Sequence, residues 1–163
     1  MKISECDFDF LVRQTRLILS SYRHWKGKSL WSEDRPDEAL VKEVFEAPFV
    51  LASTGTEEDP VLNYGNQKAL DLWEMDWKTF TQTPGRHTAE PMEREARARF
   101  LETVKRQGYI DDYRGVRVSS TGRRFEIRQA TVWNLVDGKG AFAGQAVVFR
   151  EAHKLDEKDR RLA

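Results

Sequence analysis

The sequence predicts an α+β fold, in which a five-stranded antiparallel sheet carries helices over one face and is preceded by an amino-terminal helical extension. Three observations carry this expectation. Apolar residues repeat at helical spacing through the first part of the chain, two short β-prone runs precede a helical interval, and the last third holds three long β-prone runs divided by hairpin signals. Sequential hairpins favour antiparallel pairing, and the intervening helices must cover a sheet face to bury their apolar stripes.

From Asp7 to about Trp25 the residues Phe8, Leu11, Val12, Thr15, Ile18, Leu19 and Tyr22 recur at helical spacing. Asp7 or Ser4 suits the cap of this first helix, basic residues crowd its end, and Gly27 stops it. A connector follows to Pro36. Asp34 or Ser32, with Pro36 and Asp37, then opens a short second helix with Leu40, Val41, Val44 and Phe45 on its apolar side, ended by Pro48.

Phe49 to Thr54 and Val61 to Tyr64 are the first two strands, separated by a polar turn that begins at Gly55. Asn66 opens a helix with Ala69, Leu70, Leu72 and Trp73 inward, and a further helical turn runs from Asp76 or Trp77 to Phe80. After Pro84 and Gly85, Thr88 or Glu90 starts the longest central helix, with Pro91 in its first turn. Met92, Ala96, Phe100, Leu101 and Val104 line one side of it and Gly108 stops it. Tyr113 to Ser119, Arg124 to Val136 and Ala141 to Phe149 make the closing meander, with turns at Gly122 and at Gly138 and Gly140. The organisation expected is an extension over 1–39, a domain over 40–150 and a polar, frayed tail over 151–163.

An apolar fraction of 39% and a charged fraction of 33% in both signs describe a globular chain with a soluble surface. Lys plus Arg equals Asp plus Glu at 27 each, so no excess positive charge draws the chain to nucleic acid. The densest basic set, Arg114, Arg117, Arg123, Arg124 and Arg128, is diluted by Asp111, Asp112 and Glu126 and reads as cross-strand pairing. One cysteine, Cys6, allows no internal disulfide, no apolar run approaches the roughly 20 residues that cross a bilayer, and the acidic start is unlike a signal peptide. A cytoplasmic protein without membrane insertion is expected.

The strand Phe49 to Ser53, the strand and helix Leu62 to Trp73, the stretch Gly85 to Pro91 and the run Gly108 to Val136 together resemble the MEKHLA domain, a family related to the PAS sensory fold. The resemblance covers roughly Leu40 to Arg150. It implies a PAS-like five-stranded sheet flanked by helices and a sensory, ligand-binding or protein-interaction role, with no enzymatic activity attached. The asparagine before the first core helix of PAS domains matches Asn66. Covalent attachment of flavin, as in the light-sensing branch, needs a cysteine in the helical region, and the chain has none between Asp7 and Ala163. His87 is the sole histidine in the central helical region that a haem could use, and it stands before a helix rather than in one. No particular cofactor is indicated.

Candidate ligand-binding residues are Asn63, Arg86, His87, Gln129 and Trp133. Arg86 and His87 precede a helix start, where free amides and a guanidinium fork suit a small carboxylate or phosphate. Pairing of Arg86 with Glu90 or Asp76 is the structural alternative. Alternation along the longest strand places Phe125, Ile127, Gln129, Thr131, Trp133 and Leu135 on one face, which aims the Gln129 amide into the core beside Trp133. Gly144 and Ala146 leave room there for something flat. Asn63 lies on the opposite face from Leu62 and Tyr64 and reaches the cavity if that face is the helix-covered one. His24, His87 and His153 are too dispersed for a metal site.

The function expected is a PAS-like sensory or regulatory module, without catalysis, that binds a small molecule or a protein partner. A small enzyme with its groups around Arg86, His87 and Gln129 is the alternative. The stripe of the first helix either covers its own sheet or pairs with a second chain as a homodimer, which is the preferred reading.

Overall fold

The protein is described here by a computed structural model that covers residues 7–156. Helix α1 (Phe8–Lys26) starts where Asp7 accepts the amides of Asp9 and Phe10, and ends at Gly27, whose φ of 71° only glycine adopts without strain. Ser4 and Cys6 lie outside the described residues. Helix α2 (Asp37–Phe45) starts after Pro36 without a side-chain cap.

Strands β1 (Val50–Thr54) and β2 (Leu62–Gly65) lead into α3 (Gln67–Trp73) and the short α4 (Trp77–Phe80). A single 3₁₀ turn, Gly85–Thr88, then precedes α5 (Pro91–Gln107). The meander is β3 (Tyr109–Val118), β4 (Arg124–Val136) and β5 (Phe142–Phe149). The sheet order is β2-β1-β5-β4-β3, antiparallel throughout.

A sixth strand, β6 (Glu151–Lys154), corrects the expectation that the chain frays after Arg150. It pairs with Phe125 to Arg128 of β4, in line with β5. The reason lies in β4, whose 13 residues outrun β5 and leave an open edge for the polar chain to close.

Helices cover both faces of this sheet. On one face α3, α4 and α5 meet Val50, Ala52, Phe125, Ile127 and Ala130. On the other, Leu11, Ile18, Leu19 and Tyr22 of α1 are buried against Leu51, Trp133, Leu135 and Val148. Of the two uses open to the α1 stripe, the structure shows the first, coverage of its own sheet. Burying four such side chains contributes on the order of 6–12 kcal/mol of transfer free energy before ordering costs.

Candidate functional site

Two bulges decide which side chains reach which face. Between Ile127 and Ala130, β4 spans three residues where β3 spans two, and Gln129 takes a φ of 52°. Alternation therefore slips by one residue. Phe125 and Ile127 face α3–α5, while Trp133 and Leu135, on the same parity, face α1. The facing bulge in β3 lies at Asp111 and Asp112, with Asp112 at φ 56°.

A cavity of about 70 Å³ lies between the sheet and α5. Its apolar wall includes Trp73, Phe80, Phe100, Ile127 and Val132, and its polar groups include Thr88, Arg97, Tyr113, Arg117 and Gln145. Phe100 and Tyr113 stack with centroids 3.7 Å apart. Among the described residues, no carboxylate, histidine, lysine or cysteine lines it.

Arg117 is buried, donates from Nη1 to the Val116 carbonyl at 2.8 Å and from Nη2 to the Tyr113 hydroxyl at 2.9 Å, and stands over the Tyr113 ring. Arg97 comes from α5. Burial pushes its guanidinium down to about 10, the like charge of Arg117 adds to the effect, and Tyr113 and Asp59 oppose it. The residue as a whole is half-buried and lines the cavity.

Sequence reasoning missed Arg97. The stripe read from Met92 and Ala96 points outward, with Met92 68% exposed, and the inward face runs instead through Arg97, Phe100, Leu101 and Val104. The signal was available, since Arg97 sits three, four and seven residues before these apolar positions.

Gln145 and Asn134 join the cavity to both helical layers. Gln145 Nε2 donates to the Leu101 carbonyl of α5 at 3.0 Å and to Asn134 Oδ1 at 3.1 Å. Asn134 Nδ2 donates to the carbonyls of Val104 at 3.3 Å and Lys105 at 3.0 Å, and its own carbonyl accepts the Trp25 indole of α1 at 2.9 Å.

The five candidates named from sequence are not gathered in one place. Asn63 lies in the bulge of β2 on the α1 side, where it accepts Ser53 Oγ at 2.6 Å and Gln14 Nε2 at 3.4 Å. Trp133 is fully buried, donates to the Ile18 carbonyl at 3.3 Å and meets Tyr22 edge-on at 5.1 Å. Gln129 is exposed on a separate recess of about 260 Å³ that also touches Tyr22, Phe49 and Arg150.

Arg86 is gripped by both oxygens of Asp59, with Nε at 3.2 and 3.1 Å, and its Nη1 donates to His87 Nε2 at 2.7 Å. The expected partners are engaged elsewhere. Glu90 pairs with the buried Arg124, and Asp76 caps α4 by accepting the Thr79 amide at 2.8 Å. Neither the cavity nor the recess brings Arg86, His87 and Gln129 together. The room left by Gly144 is taken by the Thr54 carbonyl, which a Cβ there would meet at 2.2 Å. Among the described residues no group of three or more His, Cys, Asp or Glu is placed to hold a metal, and no helix is long and apolar enough to cross a membrane.

An antiparallel sheet in this order, with a run of short helices and a cavity on one face, defines the PAS-like class. Solved structures agree on the fold. A PAS domain from Colwellia psychrerythraea matches with a TM-score of 0.60 at 11% identity, over 72% of this chain and 95% of that one. A light-oxygen-voltage domain studied with a flavin analogue matches at 0.57 and 17% identity, over 76% and 90%. An RNA-binding light-oxygen-voltage receptor matches at 0.58 and 16%, over 83% of this chain and 37% of the receptor. The MEKHLA domain family model matches residues 12–154, and the chain belongs to that family. The homeobox-leucine zipper protein ATHB-9 of Arabidopsis thaliana is 29% identical over 127 residues, which are 75% of this chain and 15% of the plant protein's length.

Proposed function

We propose that this MEKHLA domain is a non-catalytic regulatory module that holds a small molecule in the cavity between its sheet and α5. One observation carries the reading. The cavity combines an apolar, aromatic wall with a few convergent polar groups, the makeup of a small-ligand site, and its lining offers no nucleophile with a base beside it. The family relationship and the PAS-like fold support a sensory role.

A signal has a physical route outward. Gln145 touches the cavity, bonds to Asn134, and Asn134 bonds to Trp25 of α1, so an altered Gln145 contact reaches the helix on the far face. Protein partners or a second copy would then read α1. Because its apolar stripe is covered, a homodimer through α1 would use outward residues such as Phe8, which is 41% exposed.

Thermal melting of the full chain against a diverse library of small metabolites tests the reading. Compounds that raise the melting temperature and are recovered chemically unchanged are expected. Conversion of a stabilising compound to product would restore the enzymatic alternative, and a library without one stabilising member would sink the ligand-binding reading. Light scattering of the intact chain tests the homodimer separately.

A further inference from the structure

We infer that the cavity takes a small organic anion, a carboxylate or phosphate on a compact apolar body, with Arg97 as its charged anchor. The inference rests on the small-ligand reading above and narrows it to one chemical class.

Charge balance is the first reason. Arg97 and Arg117 both line the cavity and, among the described residues, no carboxylate does, so this lining carries two positive charges. Arg117 is provided for by the Val116 carbonyl and the Tyr113 hydroxyl. Arg97 is not. It forms no hydrogen bond or ion pair among the described residues, and the nearby carboxylates are committed, Asp59 to Arg86 and Glu90 to Arg124. Glu93, one turn earlier on α5, does not pair with it.

The Arg97 guanidinium is partly withdrawn from water with no direct partner, a costly placement for a charge, and burial accordingly lowers its pKa. Asp59 and Tyr113 give the Arg97 charge only a longer-range attraction at this position of the inward helix face, where its neighbours are Phe100, Leu101 and Val104, and a direct partner would be the larger return. An anion bound in the cavity would be that return. The planar fork matches a carboxylate or phosphate in two parallel hydrogen bonds, and exclusion of water strengthens them.

Shape is the second reason. Beyond the guanidinium the wall is aromatic and aliphatic, with the stacked Phe100 and Tyr113 beside Ile127 and Val132. A space of about 70 Å³ excludes an extended chain and encloses only part of a ring-sized body, the remainder projecting toward solvent past the half-buried Arg97. Gln145 and Thr88 add polar groups to the lining.

Calorimetric titration of the full chain with benzoate, phenyl phosphate and the neutral analogue benzamide tests the inference, alongside Arg97→Met. Benzoate or phenyl phosphate is expected to bind at least ten-fold more tightly than benzamide, and the stronger of the two assigns carboxylate or phosphate. Arg97→Met should weaken that anion at least ten-fold while melting no lower than the parent, because it removes an unpaired charge. Should Arg97→Met not fold, Arg97→Lys keeps the charge, loses the fork, and should still weaken binding.

Equal binding of benzoate, phenyl phosphate and benzamide, or unchanged anion binding after Arg97 is replaced, would overturn the anion assignment and leave the small-ligand reading standing. If none of the three binds while other neutral compounds stabilise the protein, the anion assignment again fails alone. If no compound of any charge binds, both fail together.

Discussion

Asn66 Oδ1 accepts the Leu51 amide at 3.0 Å and the Ala69 amide at 3.2 Å, so one side-chain oxygen ties strand β1 to the start of α3. Its Nδ2 donates to the Phe49 carbonyl at 2.8 Å, and the residue is completely buried. Asn66→Ala leaves two buried donors and an acceptor without partners. At about 1–3 kcal/mol for each such group, a loss of about 3 kcal/mol or more is expected in urea unfolding. Asn66→Asp keeps the acceptor but turns a carboxylate toward the Phe49 carbonyl, and should also destabilise.

The bulge at Gln129 gives a prediction of opposite sign. This exposed residue sits at φ 52°, a region that favours glycine. Gln129→Gly should stabilise the fold by about 0.5–1 kcal/mol, after the extra freedom of glycine in the unfolded chain is subtracted. Gln129→Val should destabilise by more than about 1 kcal/mol. Neither change should alter ligand binding at the cavity under α5.

Asp111 carries the acid sensitivity of the α1 contact. Burial opposes its ionisation, but hydrogen bonds from Lys26 and from Thr131 Oγ1, the latter at 2.8 Å, outweigh burial and hold its carboxyl below the usual range. A depressed folded-state pKa stabilises the protein above the unfolded value of about 4, and that contribution is lost as pH falls through the folded value. Asp111→Asn should therefore unfold at lower urea than the parent at pH 7. The gap should close as the solution is acidified below pH ~3.

The order of elements along the chain, the helical interval and the Asn66 cap were legible because each rests on local signals: periodicity, turn chemistry and a capping residue before an apolar run. The sides of the sheet were not. Reading Gln129 and Trp133 onto one inward face assumed unbroken alternation, and a bulged residue at positive φ leaves no mark in the sequence when it is glutamine. Asn63 was read as reaching the cavity if its face was the helix-covered one; both faces carry helices, and Asn63 lies opposite Leu62 on the α1 side, bonded to Ser53 and Gln14. Arg97 was passed over because a charged residue on a helix is read as solvent-facing. Its register with Phe100 and Val104 was the better guide. The polar residues 151–154 show that an open strand edge can order a segment that composition alone would leave free.

Backbone and indole amide NMR spectra of the full chain, recorded with and without a stabilising small molecule, test the central claim most directly. Shifts are predicted at Ala52, Arg97, Gln145 and Val147 around the cavity, and beyond it at Asn134 and the Trp25 indole. Shifts confined to Gln129, Arg150 and Tyr22 on the opposite recess, with the cavity residues unmoved, would contradict it.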